Sequence, residues 1–202
     1  MLAIGAGLVL GIGGLSLYLP LAPPQDVTGD DYQRLLRRNL TLPIRSLGAR
    51  DIQDTFKQSR PGGNPHEAMD IPAPRGTPVL AMEDGVIRKL FLSKPGGLTI
   101  YEFDREADFC YYYAHLDRYA DGLKEGMSVN HGDVIGYVGT TGNAPVNTPH
   151  LHLAIFRLGP ERRWWEGTAI DPFPLLIRLV DSRTGGSNLE GNPERRGADR
   201  RP

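Results

Sequence analysis

One cysteine, Cys110, among 202 residues excludes an internal disulfide and any site built from several thiolates. Charge of neither sign is in excess, since 23 lysines and arginines meet 24 aspartates and glutamates for a formal net charge of −1. That balance gives no global field for gripping a nucleic-acid backbone or an anionic membrane surface, so no nucleic-acid partner is expected. Charge is also missing locally, because no charged side chain precedes Asp26. Residues 1–22 are instead an almost continuous apolar run, and about 20 such residues suffice to cross a bilayer as a helix. Gly5, Gly7, Gly11, Gly13 and Gly14 would weaken a soluble core helix but are common in membrane helices. The run lacks a basic leader and is followed by no A-x-A cleavage site, which favours an uncleaved anchor over a signal peptide. Arg34, Arg37 and Arg38 lie close behind it. The positive-inside rule would keep them cytoplasmic and so argues against export.

What is abundant is turn chemistry. There are 25 glycines and 17 prolines, while hydrophobic residues at 40% still suffice for a core. Turn signals recur roughly every ten residues between residues 42 and 176, the rhythm of an all-β sandwich or barrel of antiparallel strands. Residues 79–92 read as a hairpin around Glu83-Asp84-Gly85. Further strands are expected at residues 98–103, 109–114, 134–138 and 151–158. Ahead of this body, Tyr32, Leu35, Leu36 and Leu40 fall at the spacing of a short amphipathic helix over residues 29–40, with Asp30 and Asp31 at its favourable end. Beyond Asp181 one leucine and no aromatic residue remain, too little to order a tail.

Four of the five histidines fall in three short segments. In N-P-H-E-A-M-D, His66 and Asp70 pair an imidazole with a carboxylate, a common zinc-ligand combination. The nearby prolines place His66 in a loop entering a strand that carries Asp70. In P-H-L-H-L-A-I-F, His150 and His152 share a face of a strand while Leu151 and Leu153 point oppositely into a core. In Y-Y-Y-A-H-L-D, His115 has the strand parity of Tyr111 and Tyr113, and alone it reads as structural. Together the segments offer His66, Asp70 and His152 as ligands, with His115 and His150 spare. Three protein ligands and one open position is the pattern of a catalytic rather than a structural zinc.

The run HEAMDIPAPRGTPVLAMEDGVI, then YYYAHLDRY, then EGMSVNHGDVIGYVGTTGNAPVNTPHLHLAIF, closing on Asp171-Pro172, resembles the lysostaphin/LytM-type zinc metallopeptidases. The resemblance covers about residues 42–172. It implies a small antiparallel β domain of the duplicated hybrid motif, a barrel-sandwich-like fold. It also implies Zn2+ held by His66, Asp70 and His152, His115 and His150 as catalytic histidines, and the stem peptides of bacterial peptidoglycan as substrate. On that basis the chain divides into an anchor or signal segment (1–22), a linker with a short helix (23–41), a zinc metallopeptidase domain (42–180) and a disordered tail (181–202). The expected location is the cell envelope, on the periplasmic side of the inner membrane. Oligomeric state has no signature in the sequence.

Several residues have plainer readings. Ala68 stands where the family often has Gly, which a negative φ accommodates. Glu67, beside His66, is read as facing away on an extended chain. His131 is read as an exposed turn residue and Cys110 as structural. The pair Trp164-Trp165 is read as packing over the body rather than as a sugar platform, and the loop 139–143 as a lining of the substrate groove. Two other classes compete with the hydrolase. A non-catalytic LytM-type regulator or wall-binding module typically lacks some of the ligands, all of which are present here. A biotinyl- or lipoyl-type carrier needs a lysine at its hairpin tip, where this chain has Ala81-Met82-Glu83-Asp84.

Overall fold

Three consecutive tyrosines, Tyr111 to Tyr113, sit in FCYYYAHLDRY, the longest strand of the computed structural model, which describes residues 27–59 and 66–186. In chain order the strands are β1 (Met69–Pro72), β2 (Pro78–Leu80), β3 (Gly85–Ser93), β4 (Gly97–Asp104), β5 (Phe109–Tyr119), β6 (Ser128–Val129), β7 (Val134–Val138), β8 (His150–Leu158) and β9 (Gly167–Ile170). Every pairing is antiparallel, and the nine strands form one branched sheet with the path β1-β8-β5-β4-β3-β6. The first part of β5 pairs with β8 and its last part with β7, so this strand joins the branches.

Residues opposite each other in an antiparallel ladder share a face. Tyr101 faces Tyr112, Ala114 faces His152, and His152 faces Asp70. One face of the sheet thus carries the polar cluster, while Tyr111, Tyr113, Leu151, Leu153 and Ile155 line the other and are fully buried in the main core. Each such leucine contributes roughly 1.5–3 kcal/mol by leaving water. The lower part of the polar face is closed by a satellite cluster of Phe103, Cys110 and Leu158, on which Trp164 packs. The Trp164 ring lies 5.3 Å from Phe91 and 4.8 Å from Tyr101, whereas Trp165 is 62% exposed. Packing accounts for the first tryptophan only.

The apolar stripe of the N-terminal helix is present in α1 (Val27–Leu36), which buries Leu35 and half-buries Tyr32 and Leu36. The helix stops four residues short of the expected Leu40, and Arg38 just past its end reaches the carboxylates of Glu83 and Asp104, each at 2.8 Å. Residues 1–22 lie outside the described residues. At the other end, α2 (Phe173–Gly186) carries helix past Asp181, where no order was expected. It buries Leu175, Leu176 and Val180, and the Asp171 carboxylate accepts the Phe173 N–H at its start. The rest of the tail lies outside the described residues.

The hairpin expected over residues 79–92 is not formed. The turn is there, but β2 pairs with β7 and β3 pairs with β4 and β6. The reason is long-range pairing, since β2 takes β7, more than fifty residues away, as its partner. A Cβ on Gly85 would stand 2.2 Å from the Phe103 carbonyl oxygen, so β3 is pressed against β4 from its first residue. The turn itself is drawn inward, with Met82 N–H donating to the Tyr113 hydroxyl and the Tyr111 hydroxyl donating to Glu83.

Candidate active site

The strand parity of β8 places its two histidines as expected. His150 and His152 are half-buried on the polar face, with Leu151 and Leu153 in the core. Asp70 projects from the neighbouring β1 opposite His152. His66 lies in the loop entering β1 and is held by the stretch before it, because His66 N–H donates to Gln58 O and Glu67 N–H to Phe56 O. Glu67 is exposed, as read, yet its backbone is left-handed (φ 53°) rather than extended. Ala68 is buried and is not among the residues with positive φ, so its methyl is accommodated.

His115 arrives by a different route from the one its parity implies. The ladder between β4 and β5 slips, so that Leu98 pairs with Leu116 but Ile100 pairs with Tyr113. Two residues, Ala114 and His115, therefore stand against Thr99 alone. His115 takes φ 60°, and this β-bulge re-aims the ring from the tyrosine side to the polar face. Its ring centroid lies 4.9 Å from His150 and 5.5 Å from His152.

The three expected ligands converge. His66 Nε2 and His152 Nδ1 are 3.1 Å apart, and they lie 3.1 and 2.9 Å from Asp70 Oδ1. Ligands about 2.0–2.1 Å from a tetrahedral zinc stand about 3.3 Å from one another, close to these separations. The protonation pattern fits as well. His66 Nδ1 is 2.9 Å from Thr55 O, and a carbonyl can only accept, so that nitrogen carries the proton and Nε2 directs a lone pair into the cluster. Two nitrogens and a carboxylate oxygen facing one another in this way could hold a divalent cation. Burial raises the Asp70 carboxyl, but the His152 and His66 rings beside it outweigh that and hold the group well below the usual carboxylate range.

Beside this set, His115 Nδ1 donates to Thr141 O and His150 Nδ1 to Thr148 O, each at 2.8 Å, so both Nε2 atoms carry lone pairs. His150 Nε2 is 3.8 Å from Asp70 Oδ1. Burial, assisted by the neighbouring His152 and His150, pushes His115 down to about 4 against the opposing hydrogen bond to Thr141, which leaves it neutral at neutral pH. His131 stays apart, exposed and bonded to Asp84 through Nδ1 at 2.9 Å. Burial pushes the Cys110 thiol far up, in keeping with a structural role. Sequence reasoning missed the carbonyls of Thr55, Thr141 and Thr148, which orient three of the four clustered rings. Their only sequence signal is the T-T-G of the loop, since a backbone acceptor is available at any residue.

The sequence profile described as peptidase family M23 matches residues 64–172, the segment that holds all four clustered histidines and Asp70. The chain is 35% identical over 116 residues to the L-Ala–D-Glu endopeptidase of Bacillus subtilis, covering 55% of this chain and 34% of that protein. It is 37% identical over 87 residues to the peptidoglycan DD-endopeptidase ShyC of Vibrio cholerae, covering 43% of this chain and 19% of that protein. The chain thus spans about a third or less of the length of these curated relatives. Among solved structures, the catalytic domain of lysostaphin from Staphylococcus simulans superposes with a TM-score of 0.53 at 28% identity, over 63% of this chain and 94% of that domain. With more than half of its residues matched and the expected donor set assembled within them, the chain belongs to peptidase family M23.

Proposed function

We propose that this protein is a zinc-dependent endopeptidase that hydrolyses peptide cross-links of bacterial peptidoglycan. His66, Asp70 and His152 hold the metal, and His115 and His150 manage protons. The observation that carries the reading is the convergence of Nε2, Oδ1 and Nδ1 from residues 66, 70 and 152 within 3.1 Å of one another, with two further imidazoles alongside. When bound, zinc supplies a Lewis acid that polarises the scissile carbonyl and acidifies the attacking water. His115 and His150 each offer an Nε2 lone pair, so the pair takes the proton released as water adds to the peptide carbon. Once protonated at Nε2, the same ring donates, steadying the developing oxyanion and delivering the proton to the leaving amine as the C–N bond breaks. The peptidoglycan substrate rests on the names of the relatives and on the family.

A wall substrate places the working enzyme in the cell envelope. Anchoring on the periplasmic side of the inner membrane through residues 1–22 rests on the sequence pattern alone. No helix among the described residues is long and apolar enough to cross a membrane. The test is incubation of the purified protein with muropeptides of known cross-link, with and without a zinc chelator. New amine and carboxylate termini that vanish on chelation and return with zinc are expected. A zinc-loaded protein that binds muropeptides and leaves them intact would instead mark a non-catalytic regulator.

A further inference from the structure

The loop Gly139-Thr140-Thr141-Gly142-Asn143 is not a free rim of the groove but is wedged against the turn between β3 and β4. A Cβ on Gly142 would stand 2.3 Å from Gly97 N, and one on Gly139 2.4 Å from Asp117 N, so both glycines exist to let backbones touch. At the centre of the wedge Thr141 makes three bonds. Its hydroxyl donates to Leu116 O at 2.7 Å and accepts from Leu98 N–H at 3.0 Å. Its carbonyl accepts from His115 Nδ1 at 2.8 Å. The hydroxyl therefore pins the loop to β4 and β5 immediately beside the β-bulge, and the carbonyl fixes the ring which that bulge presents.

The same device recurs on the metal side, outside the segment that the family profile matches. Thr55 is buried. Its hydroxyl accepts from Asp70 N–H at 2.9 Å, while its carbonyl accepts from His66 Nδ1 at 2.9 Å. One threonine thus fixes two of the three donor residues relative to each other.

We infer that Thr55 and Thr141 are positioning residues with separate tasks, Thr55 setting the geometry of the metal donors and Thr141 setting the tautomer and aim of His115. A threonine carbonyl alone would not distinguish these positions from any other residue. The hydroxyl does, because it anchors the carbonyl to the strand that the imidazole must face. The inference rests on the functional reading above, but one of its measurements does not. In the protein as purified, nitrogen-15 NMR of the imidazoles is expected to show the Nδ1–H tautomer at His66 and His115, and a dominant Nε2–H tautomer at either overturns the assignment for that residue.

The variants then separate the tasks. Thr55→Val is expected to weaken zinc affinity, measured by competition with a chelator, about 10–100-fold, the range seen when partners behind a metal ligand are removed. Thr141→Val is expected to leave zinc affinity within about twofold while kcat on muropeptides falls about tenfold or more at similar KM, since only proton transfer is misaligned. Thr55→Ser and Thr141→Ser, which keep the hydroxyl, restore the parent values. Unchanged zinc affinity in Thr55→Val, unchanged kcat in Thr141→Val, or serine variants as impaired as the valines would overturn the inference. Should a valine variant not fold, the tautomers of the parent protein still decide. A parent that neither binds zinc nor cleaves muropeptides sinks the functional reading and leaves the tautomer result standing by itself.

Discussion

Asp70 and Glu102 are both carboxylic acids in poorly solvated surroundings, and their neighbours send them in opposite directions. Asp70 faces two imidazoles that favour its anion. Glu102 is fully buried on β4 and is met by the Tyr113 hydroxyl at 2.7 Å, while its Oε1 has no hydrogen-bond partner among the described residues. Burial pushes it from an ordinary 4.5 up to about 8, with the Tyr113 bond and backbone donors opposing only in part. Because the folded value is the higher one, the folded state holds this proton more tightly than the unfolded chain does. Its contribution is complete below about pH 4.5 and is lost as pH rises toward 8. Glu102→Gln keeps a neutral side chain of the same shape. The stability of the parent relative to this variant, by denaturant unfolding, is therefore expected to fall by a few kcal/mol between about pH 5 and pH 8. A constant difference across that window would mean that the carboxyl is ionised in the fold. The imidazoles supply a second test. His66→Ala or His152→Ala should lose bound zinc and hydrolysis together. His115→Ala should retain zinc and lose about 10²–10⁴-fold in kcat, the usual worth of a positioned acid–base group. A His115→Ala variant that turns over at the parental rate removes that histidine from the mechanism.

Elements show where sequence reading succeeds and where it stops. The two histidines of β8 were legible because period-2 alternation is a local property, and Leu151 and Leu153 confirm the parity by being fully buried. His115 has the same local signal and the opposite outcome, because the slip in register at Leu98 and Ile100 belongs to the pairing with β4, not to β5 itself. The misread hairpin has the same cause, since the partner of β2 is β7, more than fifty residues away. The helix α2 is a different case. Leu175, Leu176, Leu179 and Val180 recur at helical spacing, and Pro174 stands in the first turn where its missing N–H costs nothing, so the signal was present and outweighed by the polar residues after it. The bulge also depends on Gly97, which has φ 64° and whose Cβ would stand 2.2 Å from Thr141 Oγ1. Gly97→Ala is expected to cost roughly 2 kcal/mol or more, the ~1–2 kcal/mol of left-handed strain plus displacement of the loop. Gly122→Ala, at φ 77° with nothing within 4 Å, should cost the strain alone. Equal losses in the two variants, measured by denaturant unfolding, would show that the 139–143 loop yields freely at Gly97.

For the whole molecule, a metal held as proposed by His66, Asp70 and His152 would cross-link distant parts of the chain. His66 and His152 are 86 residues apart, and the cluster ties the loop before β1 to the middle of the sheet through side chains that are separate in the unfolded chain. A metal that binds only the folded arrangement stabilises it by mass action, about 4 kcal/mol when free zinc exceeds its dissociation constant a thousandfold. For a chain of this length each kcal/mol moves the melting temperature by about 2–4 °C. Chelation is thus expected to lower the melting temperature by about 10 °C, and added zinc to restore it. Coupling of this kind also separates structure from chemistry. Asp70→Ala should abolish the zinc-dependent shift along with hydrolysis, because it removes a donor from the cross-link. His115→Ala should keep the full shift while losing hydrolysis, because its ring lies beside the donors without being one of them. A His115→Ala variant whose melting temperature no longer responds to zinc would make that ring part of the metal's cage, and the proton transfer assigned to it would fall to His150 alone.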